Sequence, residues 1–570
     1  MGDQRRVDRI TDAEVARRRA ALEEATGPWV PRSLARVFDR LADRYADRPF
    51  VLAGEHTRTY ADVRRRSVEL AGGLLALGVE PGDRVALLVD NRPEYAELKL
   101  AVARTGAVAV PLNYAYKTDE VRARLHQSRA RVLVSVAATV ATDFVQVLDS
   151  IVPGWEHGAM SDDLPDLRHV VMVEPDARPG SETLDGLVRR TAGADAVAAR
   201  QQSVAPHDVC DIVFTSGTTG HVLGAELTHD MVLRSAYGSA YHRAFDDGWR
   251  ISFALPLYHV FGYIEGLVAA MFAGGAVAPL AVFNPKTVLD VIERDRITEV
   301  LFVPTMTVAV LDQAAKGDHD LSSLQSVFSA AAPAPTWLWE RVLSDLRPTM
   351  IFTGYGQTEV SAATALTYPG DDIATVASVV GATKLGGVAA EGVGIDGRLA
   401  EYRTVDPFTG SPLALGEGGE LSVRGPQVTA RYAEDPQRSA EVIDPEGWLR
   451  TGDLGRVRPD GYLELTGRSK ELFKVGGELV SPVEVEAVLT AYDGVSQAFV
   501  TGVPDDRYGE VAWAFVVRAD DAELDPRALV THCREHLAGF KVPRGVTFLS
   551  AEDLPTTATG KVQKFRLKAT

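Results

Sequence analysis

The chain has 570 residues, 46% hydrophobic and 24% charged, with 78 acidic against 60 basic side chains and a formal net charge of −18. At roughly 150 residues per domain the length suggests about four structural units, and the composition excludes a mainly disordered, collagenous or coiled-coil chain. The acidic balance argues against broad nucleic-acid binding, which needs clustered Lys and Arg. It still allows an anionic nucleotide held by backbone amides and a few placed cations.

In chain order, the charged N-terminus (MGDQRRVDRITDAEVARRRAALEEA) lacks the apolar segment of a secretory signal. Arg6 stands where a myristoylation motif takes Ser or Thr. Tyr60 to Leu77 predicts a helix, with Val63, Val68, Leu70, Leu74 and Leu75 near one face. Buried strands are predicted at Arg84–Val89, Ala107–Val110, Val132–Val134, Val170–Val173, Ile251–Leu255 and Val300–Val303. Strands alternating with helices imply parallel or mixed sheets covered by helices. The Gly/Ala/Val-rich stretch Val380 to Gly397 reads as an irregular loop or insertion. Pro459-Asp460-Gly461 is a turn between short strands, and a domain boundary is expected near Gly467. Beyond it, Ser481, Pro482 and Glu484 predict a helix start with a capping box. A strand at Val511–Val517 and a helix at Ala528–Leu537 complete a small α+β domain. No uncharged apolar stretch of about 18 residues is present, so no membrane span is expected. Cys210 and Cys533 make neither a disulfide framework nor a zinc signature, which fits the reducing cytoplasm.

Five segments carry chemistry. Asp211-Ile-Val-Phe-Thr-Ser-Gly-Thr-Thr-Gly220 is an apolar strand running into a loop of Gly, Ser and Thr, suited to close approach by phosphate. It is not the nucleoside-triphosphatase loop, because no Gly-Lys-Ser/Thr follows. Phe352-Thr-Gly-Tyr-Gly-Gln-Thr-Glu359 sets an aromatic ring, a hydroxyl and a carboxylate within five residues, a set that suits a base, a phosphate and Mg²⁺. Trp448-Leu-Arg-Thr-Gly-Asp-Leu-Gly455 places an Asp in a glycine turn, where a carboxylate can accept both hydroxyls of a ribose. Gly467-Arg-Ser-Lys-Glu-Leu-Phe-Lys-Val-Gly-Gly477 puts basic residues at the boundary, and Leu554-Pro-Thr-Thr-Ala-Thr-Gly-Lys561 lies near the C-terminus.

In this order and at these separations, the five segments resemble the adenylate-forming superfamily of acyl- and aryl-CoA synthetases, luciferases and peptide-synthetase adenylation domains. Asn91-Arg-Pro-Glu94, Pro256-Leu-Tyr-His259 and Gly419-Glu420 add to the resemblance, which runs from about Leu34 to Lys568. It implies an α/β fold: an N-terminal domain (1–466) of two mixed sheets plus a small distorted β-barrel, and a mobile α+β C-terminal domain (467–570). The implied reaction is ATP-dependent activation of a carboxylic acid as acyl-AMP, with Mg²⁺, followed by transfer to CoA. Carried over by motif, Thr215, Ser216, Gly217, Thr218, Thr219 and Gly220 form the pyrophosphate loop. Tyr355, beside Gly356, stacks on adenine; Thr358 contacts the α-phosphate; Glu359 holds Mg²⁺. Asp453 holds the ribose, helped by Arg468. Lys561 bridges the carboxylate and the α-phosphate, where a preorganised cation offsets the repulsion of two anions. Lys470 matches the hinge and Lys474 a basic position used in thioester formation.

One departure stands out: Leu223 occupies the place of the lysine that usually closes the phosphate loop, while Thr228-His229 keeps the register. The acyl pocket is expected around Tyr258, His259, Phe261 and Gly262 and around Ser329, Ala330 and Ala331, which favours a hydrophobic acid. His259 is expected to border the acyl group or CoA channel, with a base role as the alternative. The acceptor is CoA or, alternatively, the phosphopantetheine thiol of a carrier protein; only nine residues follow Lys561.

Overall fold

A computed structural model describes residues 9–159, 161–215, 222–393, 395–468, 471–475, 478–505, 507–519, 522–556 and 562–568. The chain divides into two compact units, Met1–Glu401 with Arg424–Gly447, and Tyr402–Val423 with Trp448–Thr570.

The first unit is built on two seven-stranded mixed sheets. In one, Met350–Phe352, Ser326–Ser329, Glu299–Phe302, Arg250–Phe253, Ala276–Pro279 and Pro49–Val51 run parallel, and Arg58–Thr59 closes the edge antiparallel. In the other, Glu182–Thr183, His169–Met172, Ala130–Ser135, Arg84–Leu88, Val108–Pro111 and Val209–Phe214 are parallel, and Gly224–Thr228 returns antiparallel. Strands such as Arg84–Leu88 and Val108–Pro111 are buried along almost their whole length, as expected of parallel strands covered on both faces. The predicted strands are present, with ends shifted by a residue or two. The helix Tyr60–Ala76 begins at a capping box: the Thr59 hydroxyl accepts from Asp62 N at 3.1 Å, and the Asp62 carboxylate accepts from Thr59 N at 3.2 Å.

Inside this unit lies a fully buried charge cluster. Arg243, at the end of the helix His229–His242, donates to Glu299 at 2.8 Å and to the carbonyl and carboxylate of Glu265 at 2.8 and 3.3 Å. Glu299 also accepts from Trp249 Nε1 at 3.2 Å and Ser326 Oγ at 2.9 Å. Lys384 comes from the stretch expected to be an irregular loop. That stretch holds the short strand Ala382–Thr383 and the turn Gly387–Ala390, but Lys384 itself is fully buried. Its ammonium donates to Ser235 O and Oγ, both at 2.9 Å, and to Ser239 Oγ at 3.0 Å, and stands 3.8 Å from Glu265. Burial pushes the Lys384 amine down to about 8, opposed by the Glu265 carboxylate, and burial pushes the Glu299 carboxyl up against the pull of Arg243.

The second unit contains the antiparallel pair Leu449–Val457 and Leu463–Arg468 within a four-stranded sheet, and a five-stranded sheet dominated by Val495–Asp505 and Gly509–Arg518. The helices Pro482–Thr490 and Pro526–His536 cover the latter through Val485, Leu489, Leu529 and Cys533. The expected capping box at Ser481 is not formed. Its hydroxyl instead donates to Thr466 O at 2.6 Å, while Glu484 pairs with Lys541 at 2.7 Å. Pro482 still starts the helix. Among the described residues no helix is long and apolar enough to cross a membrane.

Removing one member of a buried ion cluster leaves the others charged and unpaired, at a cost of about 3–5 kcal/mol. Arg243→Met is therefore expected to lower the unfolding free energy of the first unit by about that amount in urea titration. A loss under about 1 kcal/mol would show that the cluster is electrostatically neutral to folding.

Candidate functional site

Parallel strands present their carboxyl ends at one edge of a sheet, the usual position of a ligand crevice in α/β folds. In the first sheet, the strands ending at Phe253, Ser329 and Phe352 lead into segments singled out from sequence. After Phe253, the chain is held by the buried Asn91 amide. Its Nδ2 donates to Leu255 O at 2.9 Å and Leu280 O at 3.0 Å, and its Oδ1 accepts from Leu257 N at 2.8 Å. The Tyr95 hydroxyl adds a bond to Leu257 O at 2.7 Å. The Asn91–Glu94 and Pro256–His259 motifs are thus one physical unit.

His259 follows directly and is half-buried. Its Nδ1 accepts from Phe261 N at 3.2 Å, which places the ring proton on Nε2. The segment Phe261–Val268 is a π-helix, a form concentrated at functional sites. Gly262 is required there, because a Cβ would lie 2.8 Å from Pro256 O. The Tyr258 ring packs edge-on to Tyr114, and its hydroxyl is buried with no hydrogen-bond partner among the described residues. Phe261 packs edge-on against Phe328 at 5.1 Å, bringing the two predicted pocket segments together. Ser329 is buried and shares a 2.9 Å bond with Thr307 Oγ1, and Ala330 is buried beside it. Ala331 is exposed in the left-handed region at φ 73°.

After Phe352 the chain forms the strand Gly354–Gln357 and the turn Thr358–Val360. Tyr355 is buried, and its hydroxyl accepts from Gln357 Nε2 at 3.3 Å. Gly356 tolerates no side chain, since a Cβ would fall 1.8 Å from Ala362 O. Ser361 and Ala362 are both left-handed, at φ 55° and 76°. Such local strain concentrates at functional sites. It is held by Ser361 Oγ donating to Gln427 O at 2.9 Å, and by Glu265, which accepts from Ala363 N at 3.1 Å. Thr358 is buried.

Glu359 has a partner that the sequence did not reveal. The Tyr432 hydroxyl donates to its carboxylate at 2.9 Å, and Thr429 N donates to its carbonyl at 2.7 Å. Burial pushes the Tyr432 phenol upward, and the Glu359 charge adds to the effect, so Tyr432 keeps its proton. The same stretch is stitched to the strand Gly224–Thr228: Ala433 N donates to Gly224 O at 2.8 Å, and Thr429 Oγ1 to Glu226 O at 2.7 Å. That strand begins just past the segment expected from sequence to be the phosphate loop. Thr215 N donates to Leu223 O at 2.8 Å, closing the base of the loop, and Gln127 Nε2 braces Val222 O at 2.8 Å. The strand leading into the loop is anchored from below by the buried pair Lys99–Asp211. Cys210 beside it is buried and pushed up to about 12, an inert thiol.

In the second unit, Asp453 and Arg468 face each other across paired strands and form an ion pair at 3.0 Å. Asp453 is nearly fully buried. Lys474 is exposed, with its backbone N donating to Glu510 at 3.2 Å. Ser216, Gly217, Thr218, Thr219, Gly220, Lys470 and Lys561 lie outside the described residues.

Comparison with known proteins gives the family. Residues 38–433 match the AMP-binding enzyme family, and residues 484–561 its C-terminal domain. A Mycobacterium tuberculosis CoA ligase for a propanoate on a methylated dioxo-octahydroindene ring system is 37% identical, covering 94% of this chain and 98% of that protein. A feruloyl-CoA synthase from Amycolatopsis is 35% identical over 89% of this chain and 92% of its own length. Among solved structures, the anthranilate CoA ligase AuaEII with anthranoyl-AMP superposes with a TM-score of 0.79 at 26% identity, covering 95% and 98% of the two chains. The chain belongs to the AMP-binding enzyme family.

The hydroxyl on Glu359 is expected to matter for nucleotide chemistry as well as for local stability. A neutral-to-charged hydrogen bond contributes about 1.5–3 kcal/mol. Tyr432→Phe should then slow acid-dependent ATP–pyrophosphate exchange by about tenfold or more in protein that still folds, with a modest drop in melting temperature. Undiminished exchange would remove Tyr432 from the site.

Proposed function

We infer that this family member is an acid–CoA ligase of the AMP-forming type. The observation that carries this is the end-to-end match to CoA ligases, 94% of this chain on 98% of the Mycobacterium tuberculosis enzyme. An acid carboxylate oxygen attacks the α-phosphorus of ATP; the bond to the β-phosphate oxygen breaks, and pyrophosphate leaves. The thiol sulfur of CoA then attacks the acyl carbon, and AMP leaves with the bonding electrons. CoA is preferred over a carrier-protein thiol because the similar enzymes are named as CoA ligases.

The residues take the following parts in this reading. Tyr355 presents its ring to adenine, and Gly356 lets the backbone pass close by. Asp453, oriented by Arg468, accepts from the ribose hydroxyls. Thr215 and the loop behind it hold pyrophosphate, and Thr358 holds the α-phosphate. Glu359 offers an oxygen ligand suited to Mg²⁺, which supplies charge neutralisation at the phosphates. Lys561 neutralises the carboxylate and α-phosphate as they approach. His259, with its proton on Nε2, borders the acyl group.

The moving bodies are 1–466 and 467–570, turning at Lys470. In support, the strands from Phe473 onward share one core with Val485, Leu529 and Cys533. The turn carries Lys561 away and brings Lys474 inward. Two buried free thiols fit a reducing cytoplasm. The acid is hydrophobic and ring-bearing. In support stand the aromatic rings of Tyr258 and Phe261, the small Ala330 and Ala331 at the end of the adjacent strand, and the ring acids for which the two relatives are named.

The two halves of the reaction test the assignment. Lys561→Ala should abolish most acyl-AMP formation from acid and ATP, yet convert supplied acyl-AMP and CoA into acyl-CoA. Equal slowing of both halves would refute the division of labour. Acyl transfer only to a carrier protein would replace CoA as acceptor. Separately, Leu223→Lys restores a charge-assisted phosphate contact and should lower the KM for ATP about tenfold without changing acid preference. An unchanged or higher KM would show that the loop is already compensated.

A further inference from the structure

We propose that the helix Pro526–His536 carries a site for a divalent transition-metal ion, built from His532, Glu535 and His536. Each residue offers one ligand atom, and these atoms all lie within 4.8 Å of one another. The spacing puts His532 and His536 on one helical face, four residues apart. Their ring centroids are 4.4 Å apart, so small rotations bring one nitrogen of each ring onto a common point.

The local structure prepares the ligands. His536 Nδ1 lies 2.9 Å from His532 O. A carbonyl oxygen only accepts, so the proton sits on Nδ1 and Nε2 keeps its lone pair for a metal. This is the arrangement by which a second hydrogen bond fixes the tautomer of a ligating histidine. His532 is half-buried and packs edge-on against Tyr492 at 5.1 Å, which limits its rotation. Glu535 and His536 are exposed, so an ion reaches them directly from solvent. Glu535 and His536 sit in the last turn of the helix, where the backbone carbonyls favour positive charge, and His532 lies one turn before them.

Two imidazoles and one carboxylate suit zinc-class ions over Mg²⁺ or Ca²⁺, which take oxygen ligands. Three protein ligands leave a fourth position open to water or to a group from another molecule. The residue between them, Cys533, is buried in the core beneath the helix and is turned away from this face.

The test uses the full chain, stripped of metal with a chelator and titrated with Zn²⁺ by calorimetry. One ion per chain with micromolar or tighter affinity is expected. His532→Ala and His536→Ala should each weaken it by about tenfold or more, and Glu535→Gln should weaken it less. Co²⁺ in place of Zn²⁺ should give a visible absorption band that is lost in both histidine variants. Glu535 and His536 are exposed and His532 is only half-buried, so acyl-CoA synthesis without added Zn²⁺ should match the parent protein, showing that the variants are folded. Absence of Zn²⁺ binding would overturn the proposal. So would unchanged stoichiometry and affinity in the double variant, which would place the ion elsewhere.

Discussion

The guanidinium of Arg243 holds the first unit together where the chemistry is set. It draws two buried carboxylates, Glu265 and Glu299, toward one point, with the Lys384 ammonium beside Glu265. Through these groups a helix end, a π-helix, the centre of a parallel sheet and an irregular connection become mutually dependent. Glu265 then accepts from Ala363 N, just past the strained pair Ser361 and Ala362. An ion cluster with no solvent exposure gains little net stability over an apolar one, because desolvation offsets attraction. What it supplies is direction: few other arrangements satisfy all the charges. The turn bearing Thr358 and Glu359 thereby inherits a defined geometry from groups that touch no substrate.

In the proposed reading the site has to manage repulsion between anions. There a phosphate chain, a carboxylate and Glu359 come together, and each excess negative charge needs a local answer. Tyr432 meets Glu359 with a hydroxyl, which orients the carboxylate by a hydrogen bond. Leu223 takes the opposite course at the loop, giving up a cation where one is customary. Its backbone carbonyl still closes the loop base with Thr215. The described residues on either side of the loop are therefore joined by a main-chain bond that does not depend on the side chain at Leu223.

The sequence spoke clearly where chemistry and periodicity are local. The strand leading to Phe214 and the Tyr355–Glu359 segment follow from short patterns and stand at strand ends, whereas Asp453, expected in a glycine turn, lies inside the strand Leu449–Val457 opposite Arg468. Partners distant along the chain were silent. Tyr432 lies 73 residues from Glu359, with no pattern linking them. Lys384 sits in a Gly/Ala/Val-rich stretch, where a lone lysine reads as solvated, yet it is fully buried. Ser481 matched the rule for a capping box, but a carbonyl from a neighbouring strand competed for its hydroxyl and won.

The bracket made by Asn91 has a consequence for recombination. One amide joins the start of the helix Pro93–Thr105 to Leu255, Leu257 and Leu280, on the far side of the first unit's sequence. A chimera with a crossover anywhere between residues 91 and 255 takes the amide from one parent and its backbone acceptors from the other. Such crossovers succeed only where both parents set this loop at the same height. Crossovers in this interval therefore have to respect the Asn91 amide and the Tyr95 hydroxyl as well as the boundaries of the sheets.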